Sequence, residues 1–139
     1  MRFIDANVFL YAVVKPRGGM SGEILERKEK AKRILRRVES GEETVITTVV
    51  RIGEVANILE AKAGLETALS FVENVLLAEN IEVLPVLYED YLKALSLTKE
   101  KRVSLNDALA YVKMITKGVN EIYTFDNHFK NIPVETIQE

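Results

Sequence analysis

Four acidic residues in this 139-residue chain stand in local settings that are typical of metal-binding carboxylates. Asp5 and Asp126 each directly follow a short apolar run, whereas Glu54 and Asp107 fall early in amphipathic helical patterns. Several carboxylates buried close together repel one another, and their pKa values rise unless a cation neutralises them. A hard divalent ion such as Mg²⁺ takes oxygen ligands of this kind. The four residues together therefore indicate a divalent-metal site.

The remaining composition favours the same chemistry. The chain has no cysteine and a single histidine, His128, which leaves oxygen atoms as the main candidate ligands. Two divalent ions about 4 Å apart activate a water molecule and stabilise the leaving oxygen when a phosphodiester is hydrolysed. A site of this kind could therefore hydrolyse a phosphodiester without a side-chain base.

Each acid also has a structural interpretation when it is taken alone. Asp5 and Asp126 could cap the turns that they open, which is a common role for an aspartate after a strand. Asp107 fits the third helical position of a capping box. Glu54 could lie on an exposed helix flank beside Arg51. These interpretations weaken when the four acids are considered together, because gathered carboxylates need a counter-ion.

The elements that must position these acids alternate along the chain between strand and helix patterns. Strands are predicted at residues 1–4, 44–47, 81–85, 121–125 and 133–137. Helices are predicted at residues 7–14, 21–40, 49–63, 65–78, 88–101 and 105–117, with a mobile break at 16–19. This alternation predicts an α/β fold with helices on both faces of a mainly parallel sheet. Right-handed crossovers would then bring Asp5 and Asp126 to one edge of that sheet.

Length and composition predict one folded domain over residues 1–139. Hydrophobic residues make up 47% of the chain and charged residues 29%, which is the balance of a globular protein. No apolar run approaches the ~20 residues that a membrane-spanning helix needs. A strand pattern begins at the first residues and leaves no room for a signal peptide. We therefore expect a cytoplasmic protein without a membrane segment.

Residues 26–37 form a strongly basic stretch, with seven basic and two acidic side chains. Such a helix could guide a phosphate backbone. The i,i+4 pairs of Glu26 with Lys30 and Glu29 with Arg33 favour a solvated face instead, and the helix could also contact an antitoxin. His128 could touch a phosphate beside Asp126, although a lone histidine in a turn is more often an ordinary surface residue.

Four ordered motifs resemble those of a known family. They are I-D-A-N-V at residues 4–8, T-T-V-V-R-I-G-E-V at 47–55, S-L-N-D-A-L-A-Y at 104–111 and Y-T-F-D-N-H-F at 123–129. Their order and distances resemble the PIN domain nucleases, and among these the small VapC-type toxins of toxin–antitoxin pairs. The resemblance covers the whole chain.

That resemblance implies an activity, a fold and a set of partners. The family cleaves RNA with Mg²⁺ or Mn²⁺ through a metal-activated water, and it adopts a three-layer α/β/α sandwich on a mainly parallel sheet. Its members commonly pair as homodimers, and an antitoxin segment covers the acidic groove of VapC-type members. By the same resemblance the metal-binding acids are Asp5, Glu54, Asp107 and Asp126, and the supporting polar residues are Asn7, Thr48 and Thr124. Either Thr47 or Thr48 could face the site.

Three other functions compete with a toxin nuclease. A stand-alone RNA-processing nuclease of the same family would share these motifs. A binding module could use the acidic groove without catalysis, although no motif acid is missing. A phosphatase of the haloacid dehalogenase type also places an aspartate after its first strand, but it needs a second aspartate two residues later, where this chain has Asn7.

Overall fold

A computed structural model describes residues 1–15, 18 and 21–139, and it contains the predicted alternation of strands and helices. The strands are β1 (Arg2–Ile4), β2 (Val45–Thr48), β3 (Ile81–Leu84), β4 (Glu121–Tyr123) and β5 (Glu135–Ile137). The helices are α1 (Ala6–Val13), α2 (Gly22–Glu39), α3 (Val49–Ala63), α4 (Leu65–Leu77), α5 (Tyr88–Lys101) and α6 (Leu105–Thr116). Every predicted element is present within two residues of its expected ends. The break predicted at 16–19 falls largely on positions outside the described residues.

All five strands are parallel and form one sheet in the order β3-β2-β1-β4-β5. The central strand β1 pairs with β2 on one side and with β4 on the other. β2 and β3 thus lie on one side of β1, and β4 and β5, which come later in the chain, lie on the other side. In open α/β sheets, ligands bind in the crevice beyond the carboxyl ends of the strands where this reversal occurs. Here that crevice lies beyond the ends of β1 and β4.

Helices cover both faces of the sheet, which confirms the predicted three-layer α/β/α architecture. Alternate residues of a strand point to opposite faces. Ile4 and Tyr123 therefore pack in the core that α1 to α4 cover, whereas Phe3 and Ile122 pack in the core beneath α5 and α6. The central strands β1 and β4 are short and bury apolar side chains on both faces, as expected for a sheet between two helical layers.

Local signals set the ends of the helices. The Ser21 hydroxyl caps α2 by accepting a hydrogen bond from Ile24 N at 3.2 Å, and Gly41 follows that helix with a φ of +84°. Gly64, with a φ of +93°, joins α3 to α4, and these two helices pack together as the predicted hairpin. None of the helices in the described ranges combines the length and apolarity that crossing a membrane would require.

The C-terminal end of α1 is held by Lys28, which is a buried member of the basic stretch in α2. Its Nζ atom donates to the carbonyl oxygens of Tyr11, Ala12 and Val14 at 3.1, 3.2 and 3.0 Å. These carbonyls have no partner within the helix. Lys28 is therefore a structural cap and not part of a solvated basic face.

Candidate active site

The four acids singled out in the sequence line one cavity of about 660 Å³ at the carboxyl edge of the sheet. Asp5 directly follows β1 and Asp126 lies three residues beyond β4, so both stand at the crevice where the strand order reverses. Glu54 projects from α3, and Asp107 projects from the first turn of α6. The fold thus gathers four acids that lie far apart in the chain.

Asp5 is buried and uses its two carboxylate oxygens differently. Oδ1 accepts a hydrogen bond from Ala6 N at 2.8 Å and caps α1, as the structural interpretation of this residue expects. Oδ2 accepts a hydrogen bond from the Thr124 hydroxyl at 2.9 Å. Burial raises the pKa of Asp5 above its ordinary value, although Arg51 and these hydrogen bonds act in the opposite direction. Helix capping and a place in the acidic centre are therefore compatible roles for Asp5.

The Thr124 hydroxyl connects the ends of β1 and β4. Besides donating to Asp5, its Oγ1 atom accepts hydrogen bonds from Asn7 Nδ2 and from Asp126 N, both at 3.1 Å. Asn7 Oδ1 in turn accepts a hydrogen bond from Phe125 N at 3.3 Å. Two of the neutral polar residues proposed from the sequence, Asn7 and Thr124, thus hold the segments that carry Asp5 and Asp126.

Asp107 turns its carboxylate into the cavity instead of completing a capping box. The Ser104 hydroxyl accepts a hydrogen bond from Asp107 N at 3.1 Å, which is the forward half of that motif. The Asp107 side chain does not contribute the reverse half, because its Oδ1 accepts a hydrogen bond from Arg51 Nη2 at 2.7 Å. Asp107 therefore belongs to the acidic centre.

Arg51 lies at the middle of this centre, although the sequence analysis did not include it among the site residues. Its side chain is only 4% exposed, and its guanidinium lies among three of the four acids. Nη1 donates to both carboxylate oxygens of Glu54, at 3.0 and 3.3 Å, and Nη2 donates to Asp107. Nε lies 3.0 Å from Asp5 Oδ1, but its N–H is not aimed at that oxygen and makes no hydrogen bond. Glu54 does pair with Arg51, yet the pair lies in the site and not on an exposed flank.

Electrostatics keep the Arg51 guanidinium charged in this buried position. Burial lowers the pKa of Arg51, but the nearby carboxylates of Asp5, Glu54 and Asp107 raise it by more, so the pKa is above its ordinary value. The sequence did carry one signal for this placement. Arg51 precedes Val55 by four residues, and Val55 is fully buried, so the two side chains share the inward side of α3.

Asp126 forms the open side of the centre together with His128. Its side chain is 42% exposed, and its Oδ2 lies 3.6 Å from His128 Nδ1. The same ring nitrogen is 3.9 Å from Asp107 Oδ2. Two basic side chains, Arg102 and Lys130, line the cavity nearby. The cavity thus combines an acidic floor with cationic groups on its wall.

The two neighbouring threonines both lie behind the site. Thr48 caps α3, because its hydroxyl accepts a hydrogen bond from Arg51 N at 3.2 Å. The Thr47 hydroxyl donates to the carbonyl oxygen of Ile4 at 3.1 Å. Within the described part of the chain, neither residue lines the cavity. Thr48 therefore positions the helical turn that carries Arg51, and Thr47 fixes the backbone just before Asp5.

The chemistry of the donors suits a hard divalent cation. All four acids offer carboxylate oxygens, which Mg²⁺ and Mn²⁺ prefer. Their present spacing suits a guanidinium instead. Among residues 1–15, 18 and 21–139, no three Asp, Glu or His side chains are spaced to hold a metal ion. An ion on the oxygens of Asp5 or Asp107 would take over contacts that Arg51 now makes.

Several solved structures share this fold. The toxin VapC20 of Mycobacterium tuberculosis, described as cleaving the sarcin-ricin loop, superposes with a TM-score of 0.75 at 22% identity, over 94% of this chain and 93% of that one. A toxin–antitoxin complex from Klebsiella pneumoniae gives a TM-score of 0.67 at 13% identity, over 100% and 98% of the two chains. VapBC2 of Rickettsia felis, bound to a promoter DNA fragment, gives 0.67 at 14% identity, over 98% and 96%. At these identities the likeness establishes the fold.

Sequence comparison establishes the family. No curated protein matches the chain. The model of the PIN domain family matches residues 2–135, which include all four acidic motifs. Since that match spans nearly the whole sequence, the chain belongs to the PIN domain family, whose members are nucleases.

Proposed function

We propose that this chain is an endoribonuclease that depends on Mg²⁺ or Mn²⁺ and hydrolyses phosphodiester bonds of RNA. The observation that carries the proposal is the convergence of Asp5, Glu54, Asp107 and Asp126 on one cavity at the crevice between β1 and β4. Ligands of parallel α/β sheets bind in this crevice. Membership of a nuclease family supports the choice of a phosphodiester as the substrate.

The residues of the cavity have different roles in such a reaction. Asp5, Glu54, Asp107 and Asp126 would hold the metal ion. Thr124 donates to the Asp5 carboxylate and, together with Asn7, fixes the backbone that carries Asp126. The bound ion supplies Lewis acidity, which lowers the pKa of water and stabilises negative charge on the phosphate. His128 lies on the open side, where its exposed ring can contact a phosphate oxygen. No protein side chain has to act as the base.

Positive charge on the cavity wall supports a polyanionic substrate. Arg102 and Lys130 line the same cavity as the acids and are exposed, so they can neutralise phosphates that flank the cleaved bond. The basic stretch of α2 contributes less than its sequence suggests. Lys28 caps α1, Arg27 donates to Tyr11, and other basic residues of the stretch form ion pairs with Glu26, Glu43 and Glu139.

We also propose that the nuclease is the toxin of a toxin–antitoxin pair. Structural neighbours of this chain include a VapC toxin and toxin–antitoxin complexes, and the similarity covers nearly the full length of each chain. The partner would be an antitoxin protein that covers the acidic cavity and blocks RNA. A small open reading frame next to this gene, whose purified product stops RNA cleavage, would support that assignment. The homodimer expected from the family remains a prediction.

A cleavage assay with three arms tests the nuclease proposal. Labelled RNA is incubated with the purified protein in Mg²⁺ or Mn²⁺, with the protein in EDTA, and with an Asp5→Asn variant purified in the same way. We expect cleavage only in the first arm, with 5′-phosphate and 3′-hydroxyl ends, because water is the nucleophile. Equal cleavage by the variant would assign the activity to a contaminant. Ends carrying a 2′,3′-cyclic phosphate would mean that the ribose hydroxyl attacks and would contradict the mechanism.

A further inference from the structure

The role of Arg51 is not explained by the proposed reaction. Its buried guanidinium contacts three of the four acids, whereas Asp126 lies beside His128. A buried cation in a cluster of carboxylates serves the same electrostatic purpose as a metal ion, since either one relieves repulsion among the acids. The centre therefore contains a positive charge that belongs to the protein itself.

We propose that Arg51 is an internal counter-ion that competes with the divalent metal ion for the carboxylates of Asp5 and Asp107. Without metal, the guanidinium occupies the oxygens that the ion requires. When the ion binds, the guanidinium leaves those oxygens. This inference rests on the proposed metal-dependent function. It means that the metal ion binds only at concentrations high enough to displace the guanidinium.

Distances in the site disfavour binding of the guanidinium and a metal ion to the same carboxylate oxygen. Arg51 Nη2 stands 2.7 Å from Asp107 Oδ1, and Mg²⁺ would stand at about 2.0–2.1 Å from a carboxylate oxygen. Two cations on the same oxygen would lie within about 5 Å of each other, and like charges so close repel strongly away from bulk water. The Asp5 side chain is 6% exposed and that of Asp107 10% exposed, so little solvent screens this repulsion.

The spacing of the acids also supports competition between the guanidinium and the metal ion. In the described part of the chain, the acids are not spaced to hold a metal ion, and three of them instead surround the arginine. Under this proposal, the guanidinium moves off Asp5 and Asp107 and their carboxylates then close on the ion. Guanidinium groups are planar, carry five N–H donors and stay charged at every accessible pH, so this competitor is not removed by deprotonation.

Glu54 can remain the partner of the guanidinium when it leaves Asp5 and Asp107. It lies three residues after Arg51 on α3, binds Nη1 through both of its oxygens, and has a side chain that is 29% exposed. Of the three acids around Arg51, it is the one nearest to solvent by exposure. A guanidinium that releases Asp5 and Asp107 can therefore keep its bidentate contact with Glu54 while it turns towards the cavity mouth.

Metal titration without RNA tests the proposal. Binding of Mn²⁺ is measured by calorimetry for the wild type, for Arg51→Met and for Lys113→Met as a matched control. Lys113 is also buried and pairs with an aspartate, Asp90, at 3.1 Å, but neither residue lines the cavity. We expect Arg51→Met to bind Mn²⁺ at least tenfold more tightly than the wild type, and Lys113→Met to bind it unchanged. Equal or weaker binding by Arg51→Met would overturn the proposal and make Arg51 a support for the metal or a ligand of the phosphate.

A second measurement uses the wild type and does not depend on the folding of a variant. The side-chain Nε–Hε signal of Arg51 is followed by NMR while Mg²⁺ is added. Competition predicts that this signal shifts or exchanges with water faster as the protein saturates with Mg²⁺. An unchanged signal at saturation would overturn the proposal.

Different results would contradict the competition by Arg51 and the proposed nuclease function. If wild-type protein binds Mn²⁺ and cleaves RNA but Arg51→Met binds no more tightly, only the competition is wrong. If neither protein binds Mn²⁺ and the wild type cleaves no RNA, the proposed function itself is wrong. In the cleavage assay, competition further predicts that the Mn²⁺ concentration for half-maximal rate falls in Arg51→Met, apart from any change in maximal rate.

Discussion

Replacing Thr124 by valine removes one hydroxyl and keeps the shape of the side chain, so the variant isolates the hydrogen bonds at the junction of β1 and β4. Thr124 is 1% exposed. Its Oγ1 donates to Asp5 Oδ2 and accepts from Asn7 Nδ2 and Asp126 N, at 2.9, 3.1 and 3.1 Å. All three bonds are lost together in Thr124→Val.

The three lost bonds differ in cost. Asp5 Oδ2 is buried and would lose its hydrogen-bond donor, and a hydrogen bond to a charged group contributes about 1.5–3 kcal/mol. Asn7 and Asp126 are only partly buried, so water can replace their lost acceptor at about 0.5 kcal/mol each. Summed, Thr124→Val should lower the free energy of unfolding by about 2.5–4 kcal/mol. Loosening Asp5 and Asp126 should also slow RNA cleavage by about 10²-fold, as a displacement near 1 Å does.

Denaturant unfolding and the RNA cleavage assay measure these two effects. Thr124→Ser keeps the hydroxyl and should retain the activity within a few-fold. Thr116→Val controls for the substitution itself, because Thr116 is exposed and its hydroxyl only donates to the Val112 carbonyl oxygen. Wild-type stability and wild-type cleavage in Thr124→Val would refute the role given to this hydroxyl.

Two further variants test structural contacts away from the cavity. Lys28→Met should lower the free energy of unfolding by about 2–4 kcal/mol, because three carbonyl oxygens at the end of α1 lose their donor; wild-type stability in urea unfolding would contradict this. Asp90→Asn should cost about 1–3 kcal/mol at pH 7, because Asp90 Oδ2 accepts from Leu87 N at 2.8 Å and from Lys113 Nζ at 3.1 Å. The hydrogen bond from Leu87 N, and to a lesser degree Lys113, lowers the pKa of Asp90 in the folded protein. The ionised Asp90 therefore stabilises the fold fully at pH values above its ordinary pKa of about 3.9. This stabilisation is lost as the pH falls through the lower pKa of the folded state. Unfolding curves should therefore show a gap between wild type and Asp90→Asn that shrinks below about pH 4, and a constant gap would contradict this.

Local patterns were sufficient to predict the elements of the fold. Apolar spacing and helix-end residues such as Ser21 and Gly64 act within a few residues, and every predicted strand and helix is present. Alternation of strand and helix then predicted a parallel sheet with Asp5 and Asp126 at one edge, and both residues lie there. These features depend on contacts that are short in sequence or on the handedness of crossovers.

The order of the strands could not be predicted in the same way. Nothing in a single strand shows whether its neighbour will be the next strand along the chain or one from the far end, as for β1 and β4. The crevice between these two strands, which makes Thr124 the hydrogen-bonding partner of Asp5, follows from that long-range pairing.

Arg51 and Thr48 show that tertiary packing decides which residues of the α3 motif line the cavity. The family resemblance suggested Thr48 as a support for the acids. Its hydroxyl caps α3, the helix that carries Arg51 and Glu54, and within the described part of the chain it does not line the cavity. Arg51 looked like the exposed partner of Glu54, yet tertiary packing buries it among three acids. Burial of an arginine depends on carboxylates from distant segments, here Asp5 and Asp107, and their proximity is not encoded within α3.

The central claim is that the acids of the cavity perform catalysis, and two aspartates of this chain allow a matched test. Asp107 and Asp90 are each 7% exposed, each lies in the first turn of a helix, and each pairs with a buried basic side chain, Arg51 or Lys113. Only Asp107 lines the cavity. The measurement is the rate of Mn²⁺-dependent RNA cleavage by Asp107→Asn and Asp90→Asn, with both variants folded at the assay temperature. We predict that Asp107→Asn loses cleavage and Asp90→Asn retains it, whereas equal rates in the two variants would contradict the account.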